Sequence, residues 1–137
     1  MTGRCSRETE MRNFAAVTLV LLSFLVIAGP VRCATYIVKP DGTGDFPELQ
    51  AAVDGSSNGD EILLTDGVFQ GRGFNEVYLW GKALTIRSQS GNPETCIIDP
   101  EGSLGVPRAA FLFENGEGPD SVIKDMTIVN GSTATSC

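Results

Sequence analysis

Residues 39–54 read KPDGTGDFPELQAAVD, and how this stretch is read decides the fold. Its front, Asp41-Gly-Thr-Gly-Asp45, has the composition of a ligand loop. A calcium loop of the EF-hand type needs oxygen ligands at positions 1, 3 and 5, a glycine at 6 and a bidentate Glu at 12. Asp41, Thr43 and Asp45 meet the first three only in part, while Phe46 stands at the sixth position and Ala52 at the twelfth. A phosphate cradle fails as well, because Gly42 and Gly44 lead into Pro47 with no lysine where a P-loop needs one. The architectural reading is better. Phe46, Leu49, Ala52 and Val53 share one helical face. Asp45 followed by Glu48 has the form of a capping box, and Pro47 suits a first helical turn. Gly55 and the Ser-Ser-Asn-Gly run after it end the segment. The stretch predicts a turn and then one short amphipathic helix over about 46–54, with Asp45 as its cap.

On either side of it the pattern is that of strands. Tyr36-Ile-Val-Lys39 precedes the turn. After the helix come Glu61-Ile-Leu-Leu, Val68-Phe, Val77-Tyr-Leu-Trp, Ala83-Leu-Thr-Ile, Cys96-Ile-Ile, Ala110-Phe-Leu-Phe, Ser121-Val-Ile and Met126-Thr-Ile-Val. Gly, Asn, Asp and Pro corners separate these runs, and no second helical period appears, so the reading is all-β. Lys82-Ala-Leu-Thr-Ile86 recurs as Lys124-Asp-Met-Thr-Ile128, 42 residues on. A repeat of that size among short strands suggests a β-solenoid, with Leu84/Met126 and Ile86/Ile128 as stacked inward layers. A β-sandwich with a chance match is the alternative. In a solenoid the helix gains a purpose, since the first coil exposes strand edges and an open apolar end that need a cap.

Residues 14–28 form an uncharged, mostly apolar run behind Arg12, closed by Gly29-Pro30. It is short for a membrane span, which needs roughly 20 apolar residues, and it fits a secretory signal over 1–33 with Met11 as a candidate true start. An uncleaved anchor is the alternative. Residues 34–137 carry six Lys/Arg against fifteen Asp/Glu, a net charge of −9. That balance argues against nucleic acid and against anionic lipid surfaces. There is no histidine, which excludes a Ser-His-Asp or Cys-His mechanism within the chain and leaves zinc little to bind. Cys96 reads as a small buried hydrophobe. A Cys96–Cys137 disulfide is compatible with export, though two lone cysteines do not establish one.

The run from Tyr36 to Asp54 resembles the N-terminal opening of right-handed parallel β-helix proteins of the pectin lyase-like superfamily. It is most similar to the start of pectin methylesterases, with their strand, DGTGDF-type turn and helix ending in Ala-Ala-Val-Asp. Gly59-Asp-Glu-Ile-Leu-Leu-Thr-Asp-Gly-Val-Phe69, Ala83-Leu-Thr-Ile-Arg-Ser88 and Cys96-Ile-Ile-Asp99 fit the same pattern. Ser121–Gly131 resembles rungs of secreted bacterial repeat proteins. The resemblance covers nearly all of 35–131. It implies a parallel β-helix capped by one helix, and an incomplete domain continued by further coils. It implies no activity, because enzymes and non-enzymes share this opening. The catalytic motifs of the esterases resemble Gln-Ala-Val, Gln-Asp-Thr-Leu and Asp-Phe-Ile-Phe-Gly, and none occurs here. Asp99, Asp125 and Arg108 lack a matching context, so no catalytic residue is carried over.

The remaining candidates are few. Asp99, Glu101, Asp120 and Asp125 are possible members of an acidic groove for a cation, although acidic residues near turns are usually solvated. Tyr78 and Trp80, with Phe74, are candidates for a sugar-stacking patch. Val77 and Leu79 alternate with Tyr78 and Trp80, so one face should pack and the other be exposed. Asn130-Gly-Ser132 is a glycosylation sequon in a eukaryotic host. The expectation is a secreted or cell-surface β-helix module, monomeric and non-catalytic, with no cofactor or metal. Its expected partner is an acidic or neutral polysaccharide, or it acts as an adhesin. The alternative is the N-terminal part of a pectin esterase or lyase whose catalytic residues lie downstream.

Overall fold

The computed structural model describes residues 32–103 and 105–132. Every element named here belongs to the unit Cys33–Cys137. The expected signal segment and Cys137 lie outside the described residues. Among the described residues no helix is long and apolar enough to cross a membrane.

The fold is mostly β, with one short helix. In order the elements are β1 (Thr35–Val38), α1 (Leu49–Gly55), β2 (Glu61–Leu64), β3 (Gly67–Gln70), β4 (Val77–Tyr78), β5 (Thr85–Ser88), β6 (Cys96–Asp99), β7 (Phe111–Leu112), β8 (Val122–Lys124) and β9 (Thr127–Ile128). Each short apolar run noted in the sequence holds a strand, in several cases trimmed to two or three residues. The strands form three sheets, β1-β2-β5-β8, β3-β6-β9 and β4-β7. Every strand pairing is parallel. From β2 onward the chain visits the three sheets in the same rotation.

Register sets the core. Tyr36, Ile62, Ile86 and Ile123 stand in one row across the first sheet. Val38 and Leu64 form the next row, and Phe69 and Ile98 stand side by side in the second sheet. All of these except Tyr36 and Ile123 are fully buried, and Leu49, Ala52 and Val53 of α1 join the same cluster.

Two expectations are corrected. The 42-residue repeat does not mark stacked positions. Ile86 pairs with Ile123, while Ile128 pairs with Ile98 in a different sheet and is half exposed. Successive partners in the first sheet are 24 residues apart at Glu61/Thr85 and 37 at Thr85/Val122. The connections vary too much in length for a fixed sequence period to track structural position. Asp45 does not cap the helix either. The helix begins at Leu49, its N-cap is Glu48, and no side chain bonds to that end.

Asp45 instead completes β1. Its carboxylate Oδ2 accepts the Ile37 N–H at 2.7 Å, and its own N–H donates to the Ile37 carbonyl at 2.7 Å. One residue therefore supplies both the donor and the acceptor that a neighbouring strand would offer. Gly44 makes this approach possible, because a β-carbon there would collide with the Ile37 carbonyl and lie 3.0 Å from Val38 Cα. Asp41 holds the turn itself by accepting the N–H and hydroxyl of Thr43, which keeps its carboxyl below the ordinary range. Gln50 does for β4 what Asp45 does for β1. Its side chain accepts the Tyr78 N–H at 2.9 Å and donates to the Tyr78 carbonyl at 3.2 Å. The turn and the helix thus satisfy the outer edges of two sheets that would otherwise be templates for pairing with another chain.

Candidate functional site

The helix that covers β4 also builds the most distinctive surface of the molecule. One turn beyond Gln50 lies Asp54, the i+4 position on the same ridge. Its Oδ1 accepts from Gln50 Nε2 at 2.8 Å and from the indole Nε1 of Trp80 at 3.0 Å. The last carbonyls of α1 need donors. Lys82 supplies them: its ammonium bonds the carbonyls of Val53, Asp54 and Ser56 at 2.7, 3.1 and 2.8 Å. A cation at a helix C-terminus also complements the dipole.

Between Tyr78 and Lys82 the chain reverses. The Lys82 N–H donates to the Leu79 carbonyl at 3.1 Å, and both central residues are left-handed, Trp80 at φ 57° and Gly81 at φ 68°. Positive φ at both positions is the pattern of a type I′ turn, which favours Asn and Gly. Holding a bulky side chain there costs about 1–2 kcal/mol. The indole regains contacts by stacking on Tyr78, with ring centroids 5.1 Å apart and planes 19° from parallel. Tyr78 stacks on one face of the ring, yet Trp80 remains 53% exposed. Val77 and Leu79 are fully buried, so the alternation expected from sequence holds.

A second loop closes against this turn. Glu117 accepts the Gly81 N–H at Oε1 and the Asn115 N–H at Oε2, both at 3.0 Å. The Gly81 bond is the main reason its carboxyl lies below the ordinary range. A β-carbon on Gly81 would sit 2.7 Å from the Asn115 carbonyl oxygen, so this contact requires glycine.

Phe74 is not part of the platform. It is buried and packs against Phe69 at 5.4 Å. The four acidic candidates are not brought together as a cation site, and no group of three or more His, Cys, Asp or Glu suited to a metal occurs among the described residues. Asp99 is buried and committed. It accepts from Gln70 at 2.9 Å, Asn130 at 3.1 Å and the Glu101 N–H at 2.9 Å, with the Gln70 bond first among the causes that lower its pKa. Asp125 lies 4.0 Å from Lys124 at the surface, and Asp120 and Glu101 are exposed. The Asn130 amide of the sequon is spent on Asp99. Cys96 is fully buried and has no disulfide partner among the described residues.

Sequence reasoning found Tyr78 and Trp80 but missed Gln50, Asp54, Lys82 and Glu117. Their roles depend on contacts 26 to 36 residues away, which no local pattern records.

The arrangement fits a class: a mostly-β protein of parallel sheets that presents one rigid aromatic platform flanked by carboxylates. A comparison with protein-family models, with curated proteins and with solved structures finds no match to this chain.

Proposed function

We propose that this chain is a secreted or cell-surface parallel β-helix module of the pectin lyase-like kind. In this reading it is non-catalytic and binds polysaccharide. The rotation of the chain through three parallel sheets, with a helix and a turn covering the first edges, supports the β-helix. The single observation that carries the binding role is the Tyr78–Trp80 stack, with the indole pinned by Asp54 and more than half exposed. The electron-rich face of an indole attracts the positively polarised C–H groups on the face of a pyranose ring. A platform locked before binding loses little conformational entropy when it binds.

Trp80 is the only tryptophan, so its fluorescence reports on the site directly. The test is affinity electrophoresis of the full chain in gels containing neutral or acidic plant and microbial polysaccharides, with Trp80→Asn alongside. Asparagine suits the left-handed turn position and removes the ring without adding strain. Retardation by at least one polymer, lost in the variant, is the expected result. Equal migration of both proteins in every gel refutes the binding role. Release of methanol or of unsaturated products from pectin refutes the non-catalytic one.

A further inference from the structure

We infer that the Trp80 platform takes an uncharged pyranose polymer and rejects polyuronates; this rests on the platform being the binding site proposed above. The argument concerns the charges and free valences around the ring. The carboxylates beside it are Asp54, which bonds the indole N–H, and Glu117, which bonds the next residue's N–H. The one cation bonded into this surface is Lys82. An ammonium has three donors, and all three are directed at the carbonyls of Val53, Asp54 and Ser56. Lys82 therefore has no donor left for a ligand carboxylate. Among the described residues no other Lys or Arg is hydrogen-bonded to the groups around the indole. A uronate ring laid on Trp80 would bring its charge beside two fixed carboxylates, and the Lys82 ammonium could answer it only through space, with no donor left to bond it.

A neutral sugar meets different chemistry. Both bonds to Asp54 fall on Oδ1, and Oδ2 has no hydrogen-bond partner among the described residues. A carboxylate oxygen only accepts. A sugar hydroxyl can donate to it, and on a neutral ring it does so without bringing a second negative charge up to the Asp54 carboxylate, as a uronate would. Stacking on the open indole face and a hydroxyl donated to Asp54 Oδ2 together define a subsite for one neutral pyranose. The net charge of −9 over 34–137 acts in the same direction at longer range.

The experiment titrates the full chain with hydroxyethyl cellulose, polygalacturonate and chitosan, followed by Trp80 fluorescence and affinity electrophoresis, at about 20 mM and about 300 mM NaCl. Interactions between exposed charges are largely screened at the higher salt. The expected result is binding to the neutral glucan that changes less than about twofold with salt. Binding to polygalacturonate should be at least about tenfold weaker, and the glucan interaction should vanish in Trp80→Asn. Trp80-dependent binding of polygalacturonate equal to or tighter than the glucan overturns the charge selectivity while leaving the platform standing. Trp80-dependent binding of chitosan alone overturns it too, in favour of a cationic sugar. No Trp80-dependent binding to any polymer removes the platform reading itself.

Discussion

Leu49→Asp tests whether α1 is a cap or merely a passenger. Leu49 is fully buried beside Val38, Ala52 and Val53. Truncating a buried leucine alone costs about 2–5 kcal/mol. An aspartate kept inside would have to stay neutral. A burial shift of about 3–5 pKa units at 1.36 kcal/mol per unit adds about 4–7 kcal/mol. The sum is comparable to the whole stability of an ordinary domain, about 5–15 kcal/mol. The cheaper route is for the helix to leave, hydrating the new carboxylate. That departure takes Gln50 away from Tyr78 and Asp54 away from Trp80. It bares the outer edge of β4, and exposed strand edges aggregate. Urea melts followed by circular dichroism and Trp80 emission, with light scattering for size, separate the outcomes. Leu49→Ala should keep the parent's size, with its midpoint lowered by a loss of about 2–5 kcal/mol. Leu49→Asp should aggregate, with altered Trp80 emission even before urea is added. A monomeric Leu49→Asp with the parental midpoint would refute the capping role.

Three further outcomes are expected. Gly44→Ala forces a β-carbon into the Ile37 carbonyl, and overpacking of this kind costs about 1–3 kcal/mol; an unchanged urea midpoint would show that β1 does not depend on the close approach. Asp60 accepts N–H groups from Ser57 at 2.7 Å and Ala34 at 2.8 Å, the Ser57 bond leading the causes that lower its pKa below 3.8. A folded-state pKa below the unfolded one gives stability that is complete above about pH 4 and is lost as pH falls through the folded value. Asp60→Asn should melt earlier at pH 7 and lose stability less steeply below about pH 4, and an acid slope equal to the parent's would sink this assignment. Burial, partly offset by the Ser88 hydroxyl, pushes the Cys96 thiol up to about 11. Iodoacetamide at pH 8 should therefore label exposed Cys33 and spare Cys96 until urea is added, and peptide mapping that finds Cys96 alkylated in the folded protein contradicts its burial.

The strands were legible because short apolar runs between Gly, Asn and Asp corners carry their own boundaries. Ile62 and Leu64, or Cys96 and Ile98, alternate inward as the pleat requires. The helix was legible from the spacing of Leu49, Ala52 and Val53, though Phe46 and Pro47 proved to belong to the approach to it. What could not be read was pairing. The apparent repeat joined Ile86 to Ile128, whereas the register joins Ile86 to Ile123 and Ile98 to Ile128. Connections of unequal length destroy the period while leaving each parallel strand pair intact. The role of Asp45 was misread for a related reason. A helix cap lies a few residues downstream, but the partner it serves, Ile37, lies eight residues upstream across a turn.

Edge protection and the platform share one origin. A parallel sheet whose outermost strand is β4 leaves the N–H and carbonyl of Tyr78 without a strand partner on that side, and Gln50 supplies the two missing bonds. Placing Gln50 there fixes the roll of α1 about its axis. On an α-helix the residue four positions on lies on the same face, so the rotation that seats Gln50 on Tyr78 also delivers Asp54 to Trp80. The C-terminus of the same helix then falls on Lys82, the last residue of the turn that displays the ring. The requirement to close an edge thus positions a strained, exposed tryptophan and the carboxylate beside it. The Asp41–Asp45 turn, for all its resemblance to a ligand loop, spends both its carboxylates on its own backbone and on β1. The surface proposed to hold a ligand lies instead at the far end of the helix that this turn introduces.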